Sequence, residues 1–233
     1  MSAAPKPARF DNLGEILKHL GVAADRVRAY PPPGKATEKD VIAIHDRTDR
    51  LYELVDGVLV EKIMSFPESA LTCDLIKLLG YYLDQNPLGF LTGPDGAVRL
   101  MPGLVRIPDV SFISWDQLPE RKRPTDAIAG LAPDLAVEVL SRGNTKGEMD
   151  RKVREYFLCG VRLVWLVALT SRTVRVYTAP DQSTTLGEKE TLEGGDVLPG
   201  LALPVRQVFA EVSVQTKTDG GRSEGRKPRR KRE

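Results

Sequence analysis

The chain has 233 residues, enough for one sizeable domain with appendages, and an ordinary soluble composition with 41% hydrophobic and 28% charged residues. Its net charge of +2 hides an uneven distribution: from Gln215 to the end there are eight Lys or Arg against three Asp or Glu, which leaves the rest near −3. A body of that charge does not present itself as a general nucleic-acid binder. Two cysteines make no disulfide framework, and two histidines without ligand spacing argue against a His/Cys zinc site. No stretch reaches membrane-spanning length and the start lacks an apolar signal core, so a cytoplasmic protein is expected.

Residues 1–36 read as an N-terminal arm. The first ten lack structural signals. A short helix opening at Asp11 then places Leu13, Ile16, Leu17 and Leu20 on one face, with Gly21 at its C-terminal stop. Pro31-Pro32-Pro33-Gly34 reads as a linker. The main domain, residues 37–212, is expected to open with a helix over 38–46, capped by Thr37 with Asp40 three residues on. Residues 51–61 read as a hairpin turning at Asp56-Gly57. A helix over 68–85 follows, with Leu71, Leu75, Leu78, Leu79 and Leu83 on its apolar face and Cys73 as a small buried hydrophobe.

Strands are expected near 90–92, 97–101 and 108–114, then a charged loop over 120–125. Asp134 to Ser141 is the best strand in the chain: Leu135, Val137 and Val139 face one way, and Ala136, Glu138 and Leu140 the other. A helix over 146–159 carries Met149, Val153, Tyr156 and Phe157 as a stripe, with Cys159 a second buried thiol. Apolar strands at 161–169 and 173–177 follow. Helix, strands, helix, strands argue for a mixed α/β sheet with at least one crossover helix. Residues 213–233 form a basic tail too poor in apolar surface to fold, read either as solvated or as an electrostatic tether to nucleic acid.

The chemistry lies in charged residues on apolar elements. Asp109 follows Pro108 at the head of a strand, where taken alone it reads as a turn aspartate. Glu138 sits within a central apolar strand and requires a partner or a metal. Lys152 lies one helix later, with Tyr156 on the same side. Glu53 precedes the hairpin turn and fits a cross-strand ion pair equally well. Together these residues suit a hard divalent cation and an activated water, hence a metal-dependent hydrolase.

Their order resembles a family. Tyr52-Glu53-Leu54-Val55-Asp56-Gly57, then Pro108-Asp109-Val110, then Val137-Glu138-Val139-Leu140-Ser141, then Lys152 with Tyr156, Gly160-Val161 and Trp165-Leu166-Val167 look like the Uma-two family of endonucleases, itself similar to the PD-(D/E)XK restriction-endonuclease-like superfamily. The resemblance spans roughly residues 37–209. It implies a restriction-endonuclease-like core, a central mixed β-sheet flanked by helices. It also implies catalytic roles for Glu53, Asp109, Glu138 and Lys152, a Mg²⁺ or Mn²⁺ ion on Asp109, Glu138 and the Val139 backbone carbonyl, with Glu53 bound directly or through water, and DNA as substrate. The superfamily's lysine two residues after the second acid is replaced by Leu140, and Lys152 takes its place by this resemblance; Leu71 stands where relatives often carry histidine. These departures keep a second function class open, a catalytically inactive nucleic-acid-binding or regulatory protein on the nuclease fold. A third is a structural protein in which the carboxylates simply pair with Lys or Arg. Cutting both strands would favour a homodimer, for which the sequence offers no interface.

Overall fold

The computed structural model describes residues 10–210; the basic tail and the first nine residues lie outside the described residues. In chain order the elements are α1 (Leu13–Leu20), α2 (Glu38–Thr48), β1 (Tyr52–Val55), β2 (Val58–Glu61), α3 (Phe66–Gln85), β3 (Gly89–Thr92), β4 (Val98–Met101), β5 (Leu104–Arg106), β6 (Val110–Ser114), β7 (Leu135–Leu140), α4 (Lys146–Leu158), β8 (Leu163–Ala168), β9 (Thr173–Ala179), β10 (Gln182–Leu186), β11 (Thr191–Glu193), β12 (Ala202–Pro204) and α5 (Val205–Val208). No described helix is long and apolar enough to cross a membrane.

A six-stranded mixed sheet of order β10-β9-β8-β7-β6-β3 forms the centre. Its β7 and β8 are parallel, joined through α4, and the remaining neighbours are antiparallel. The period-2 alternation of β7 sorts its side chains as the sequence predicts. Leu135, Val137 and Val139 pack with Leu71, Leu75 and Leu79 of α3, while Ala136 packs with Met149, Val153 and Tyr156 of α4 on the opposite face. Glu138 therefore points to the α4 side.

A second sheet, β2-β1-β5-β4, is wholly antiparallel and was not anticipated. The strand expected over 108–114 is β6, in the central sheet; β5, just before it, belongs to the second sheet and was not expected. Pro108 has no N–H to give to a ladder, and the chain leaves one sheet at Arg106 and joins the other at Val110. Asp109 thus falls where the sheets meet.

Local chemistry sets the element ends. Asp56 and Gly57 both take positive φ, 51° and 73°, as a two-residue turn matched to strand twist requires. The Thr37/Asp40 box caps α2, with Thr37 N donating to Asp40 Oδ2 at 2.8 Å. Ser65 and Glu68 form a second box that starts α3 two residues earlier than expected. Asn12, not Asp11, caps α1 by accepting from Glu15 N at 3.0 Å. Cys73 is exposed on α3 and Cys159 half-buried, so neither is the buried hydrophobe expected; Cys73 lies off the Leu71/Leu75/Leu79 face.

Residues 13–36 pack closely on this body. Ile16, Leu20 and Val22 join Val55, Val58, Val60 and Leu104 in one apolar cluster. At Gly21 a Cβ would stand 2.7 Å from the backbone N of Glu148, so only glycine lets α1 approach the start of α4. Gly57 likewise leaves room for Gly34, whose N–H donates to Gly57 O at 2.8 Å.

Candidate active site

The register between β6 and β7 pairs Val110 with Val137 and Ser111 with Ala136. Asp109, just before β6, donates its N–H to Val137 O at 3.0 Å, one residue from Glu138, and both acids line the same small cleft. Both are buried, at 3% and 5% exposure. Like charges so close repel, and the fold must supply compensation. It does so with two lysines. Lys62 Nζ lies 2.7 Å from Asp109 Oδ1, and Asp109 Oδ2 accepts from the Val139 N–H at 2.6 Å. Lys152 Nζ lies 3.0 Å from Glu138 Oε1, which also accepts from the Tyr156 hydroxyl at 2.5 Å.

α4 presents Met149, Lys152, Val153 and Tyr156 on one inward face by its helical period, which is why a lysine and a tyrosine reach Glu138 together. Lys152 has a second partner, Glu53 Oε1 at 2.9 Å. Glu53 is in turn held by the Ile107 N–H at 3.1 Å and by Arg106 Nη1 at 2.6 Å. Arg106 also binds Glu155. All four charged residues expected from the sequence therefore belong to one cluster, but with distinct neighbours: Asp109 and Glu138 line the same cleft, while Glu53 meets Glu138 only through Lys152.

The electrostatics follow from this placement. Burial disfavours the charge on Glu53, but Lys152, Arg106 and Lys62 outweigh it and hold the carboxyl well below the usual range. Burial raises Glu138 despite Lys152, and the nearby Asp109 charge adds to the rise. Burial opposes the charge of Lys152, yet Glu138 and Glu53 keep it firmly protonated. Burial and the same two carboxylates push the Tyr156 hydroxyl well up.

A small cleft opens over these groups, lined among others by Arg26, Lys62, Ile63, Glu68, Asn144 and Lys152 with both acids. Glu138 Oε2 makes no hydrogen bond to a described residue and is not among the sealed, unpartnered atoms, so it faces this cleft. Behind the wall, Arg26 Nη1 binds Glu148 Oε2 at 2.8 Å, tying the arm to α4.

Lys62, Arg106 and Arg26 escaped sequence reasoning. Lys62 had a local signal, since Val58, Val60 and Lys62 alternate onto one strand face; Arg106 reaches Glu53 only through the β1/β5 pairing. Charges continuing an apolar face mark an inward site.

The family model described as "Uma2: Putative restriction endonuclease" matches residues 38–206. The crystal structure of "a putative nuclease belonging to DUF820" from Anabaena variabilis aligns with a TM-score of 0.62 and 18% identity, covering 70% of this chain and 92% of that one. That likeness speaks for the fold. A search of curated proteins gives no match. With the family match extending over most of the sequence, the chain belongs to the Uma2 family of restriction-endonuclease-like nucleases.

Proposed function

We propose that this chain is a divalent-metal-dependent endonuclease that hydrolyses DNA phosphodiester bonds, with Asp109 and Glu138 as the metal carboxylates. One observation carries the reading: two buried acids line one small cleft at the junction of β6 and β7, with Glu138 Oε2 turned to it. A structural ion pair does not call for a second carboxylate beside the first, whereas a divalent cation between them relieves their repulsion.

The donor chemistry fits Mg²⁺ or Mn²⁺. Both acids and the Val139 backbone carbonyl offer oxygen only, and Mg²⁺ is commonly held by one or two carboxylates with water and substrate completing its shell. No group of three or more His, Cys, Asp or Glu placed to hold a metal occurs among the described residues. Glu53 does not line the cleft as Asp109 and Glu138 do, and Lys152 stands between it and Glu138, so its contact with the cation would run through water. When bound, the cation supplies Lewis-acid polarisation of the phosphate and a more acidic water.

The remaining work belongs to the chain. Lys62 and the Val139 N–H fix the Asp109 carboxylate. Lys152, kept protonated by two acids, is a fixed positive charge against the negative charge that builds on the phosphate. Tyr156 retains its proton and orients Glu138, so it does not act as the base. Glu53 and Arg106 position Lys152 from below. Two copies would serve to cut both strands.

A second reading rests on a specific observation: the lysines already neutralise both acids, as they would in a binding protein that kept the fold without cleavage. The two separate in a plasmid nicking assay with Mg²⁺, Mn²⁺ or EDTA, comparing wild type with Glu138→Ala. Metal-dependent nicking lost in the variant is expected. Equal background in both would sink the nuclease.

A further inference from the structure

Residues 62–65 form the loop between β2 and α3, and with Phe66 at the start of α3 they stand between the carboxylate cleft and two surface depressions. The loop's first residue, Lys62, holds Asp109, and Ile63 and Met64 line the cleft. On one side Ile63, Arg26 and Ser141 also line a wider groove that reaches Arg142 and Thr170. On the other, Lys62 and Met64 also line a shallow recess bounded by Phe66 and Pro94. Because the cleft shares walls with each depression, the three lie side by side along one track, with the two acids in the middle one.

The rim of that track is unusual in composition. Phe66 is 86% exposed and Ile63 59%. A lone exposed apolar side chain needs no explanation. Here two lie three residues apart on the wall of a charged cleft, and the Phe66 ring makes no stabilising contact with the core clusters. At the far end of the track Arg142 is exposed and forms no ion pair among the described residues. An apolar ring at one end, a cation at the other and phosphodiester chemistry between them specify a ligand that alternates flat apolar faces with anions.

We propose that the track takes one unpaired DNA strand, with a base stacked on Phe66 at one side of the carboxylates and the backbone passing Arg142 at the other. This inference rests on the nuclease reading, which puts a phosphodiester at Asp109 and Glu138. A paired base has both faces covered by its neighbours in the duplex, whereas an unpaired one offers a face to an aromatic ring irrespective of sequence. The substrate class that follows is single-stranded or locally unpaired DNA, with little sequence preference at the stacked position.

The test uses the full chain with a labelled single-stranded oligonucleotide and its duplex, in EDTA, so that binding is read without cleavage. Wild type should favour the single strand. Phe66→Ala should weaken single-strand binding about tenfold while leaving duplex binding and melting temperature unchanged, and Phe66→Tyr should restore it. Arg142→Gln should flatten the salt dependence of single-strand binding. Unchanged single-strand binding in Phe66→Ala would overturn the proposal, as would a change in sedimentation showing that the ring joins two copies of the chain instead. Cleavage measured in parallel with Glu138→Ala keeps the two readings apart. Strand binding without metal-dependent cleavage defeats the nuclease alone; cleavage indifferent to Phe66 defeats the stacking site alone.

Discussion

Lys152 stands between Glu53 of the antiparallel sheet and Glu138 of the central mixed sheet, 2.9 Å from one and 3.0 Å from the other. Its ammonium is the point at which α4 joins the two sheets. From Glu53 the chain of alternating charges continues through Arg106, Glu155 and Arg151 to Asp56 in the hairpin turn. Glu138 is thereby attached to a network of charges, buried at Lys152, Glu53 and Arg106 and half-buried at Glu155, Arg151 and Asp56, whose members orient one another. Removing one of the buried members leaves an uncompensated charge in a site poorly reached by water.

That network makes Lys152 a stability residue in addition to its proposed role at the phosphate. Lys152→Met should cost about 3–5 kcal/mol of unfolding free energy, because it strands two buried carboxylates. Glu53→Gln in the same chain should recover part of the loss. A double-mutant cycle by urea unfolding should give a coupling of about 1 kcal/mol or more between the two positions. Additive losses would show that Lys152 and Glu53 do not support each other in solution.

Lys62 and Asp109 predict a different pattern. Asp109→Asn should abolish the rise in melting temperature caused by Mg²⁺ or Mn²⁺. Lys62→Gln should preserve or enlarge that rise, since it frees Asp109 Oδ1 for the cation, yet cut the cleavage rate by about a hundredfold. Thermal melts at a series of metal concentrations and single-turnover nicking separate the two effects. A rise that vanishes in Lys62→Gln would mean that Lys62 builds the site rather than competing for it.

Glu138 was legible because its signal is local: it interrupts an apolar strand, and the structure buries it. Asp109 taken alone reads as a turn aspartate and stood out through the family resemblance; the structure buries it beside Val137. Lys152 shares a helical face with Met149, Val153 and Tyr156, a period visible in the sequence. Arg106 depends on a non-local pairing: β1 meets β5 only after β2, α3, β3 and β4 have intervened, and no local pattern announces which strands will be neighbours. The place of the arm was equally hidden. Arg26 and Glu148 are 122 residues apart, and the close approaches at Gly21 and Gly57 have no signature beyond glycine itself.

Acid should expose the strength of the Glu53 contacts. Its folded carboxyl is held below the ordinary value of 4.5, so the unfolded chain takes up this proton more readily. The resulting stability is present above that value and is lost as pH falls from there through the folded pKa. Urea midpoints from neutral pH down to about pH 3 should fall more steeply in wild type than in Glu53→Gln, which is less stable at neutral pH but lacks this titration. Equal slopes would assign the acid sensitivity to other carboxylates.

The arm provides the last test, because its behaviour separates a tethered appendage from a structural part. Arg26 is buried beside Glu148, its Nε donates to Glu61 O at 3.0 Å, and Glu148 Oε1 is buried with no hydrogen-bond partner of its own. Glu148 therefore depends heavily on Arg26 for compensation, with Asn144 contributing at 3.2 Å. Arg26→Met should destabilise the protein by about 3–5 kcal/mol, and Arg26→Met with Glu148→Leu should recover much of that loss, since an apolar pair can fill a site that an unpaired carboxylate cannot. Deleting residues 1–36 adds the loss of Ile16, Leu20 and Val22 from their apolar cluster. Such a chain should lose its cooperative urea transition and expose the Val55/Val58/Val60 surface to hydrophobic dye. Retention of a full, cooperative transition would show that the body folds independently and that the arm only rests upon it.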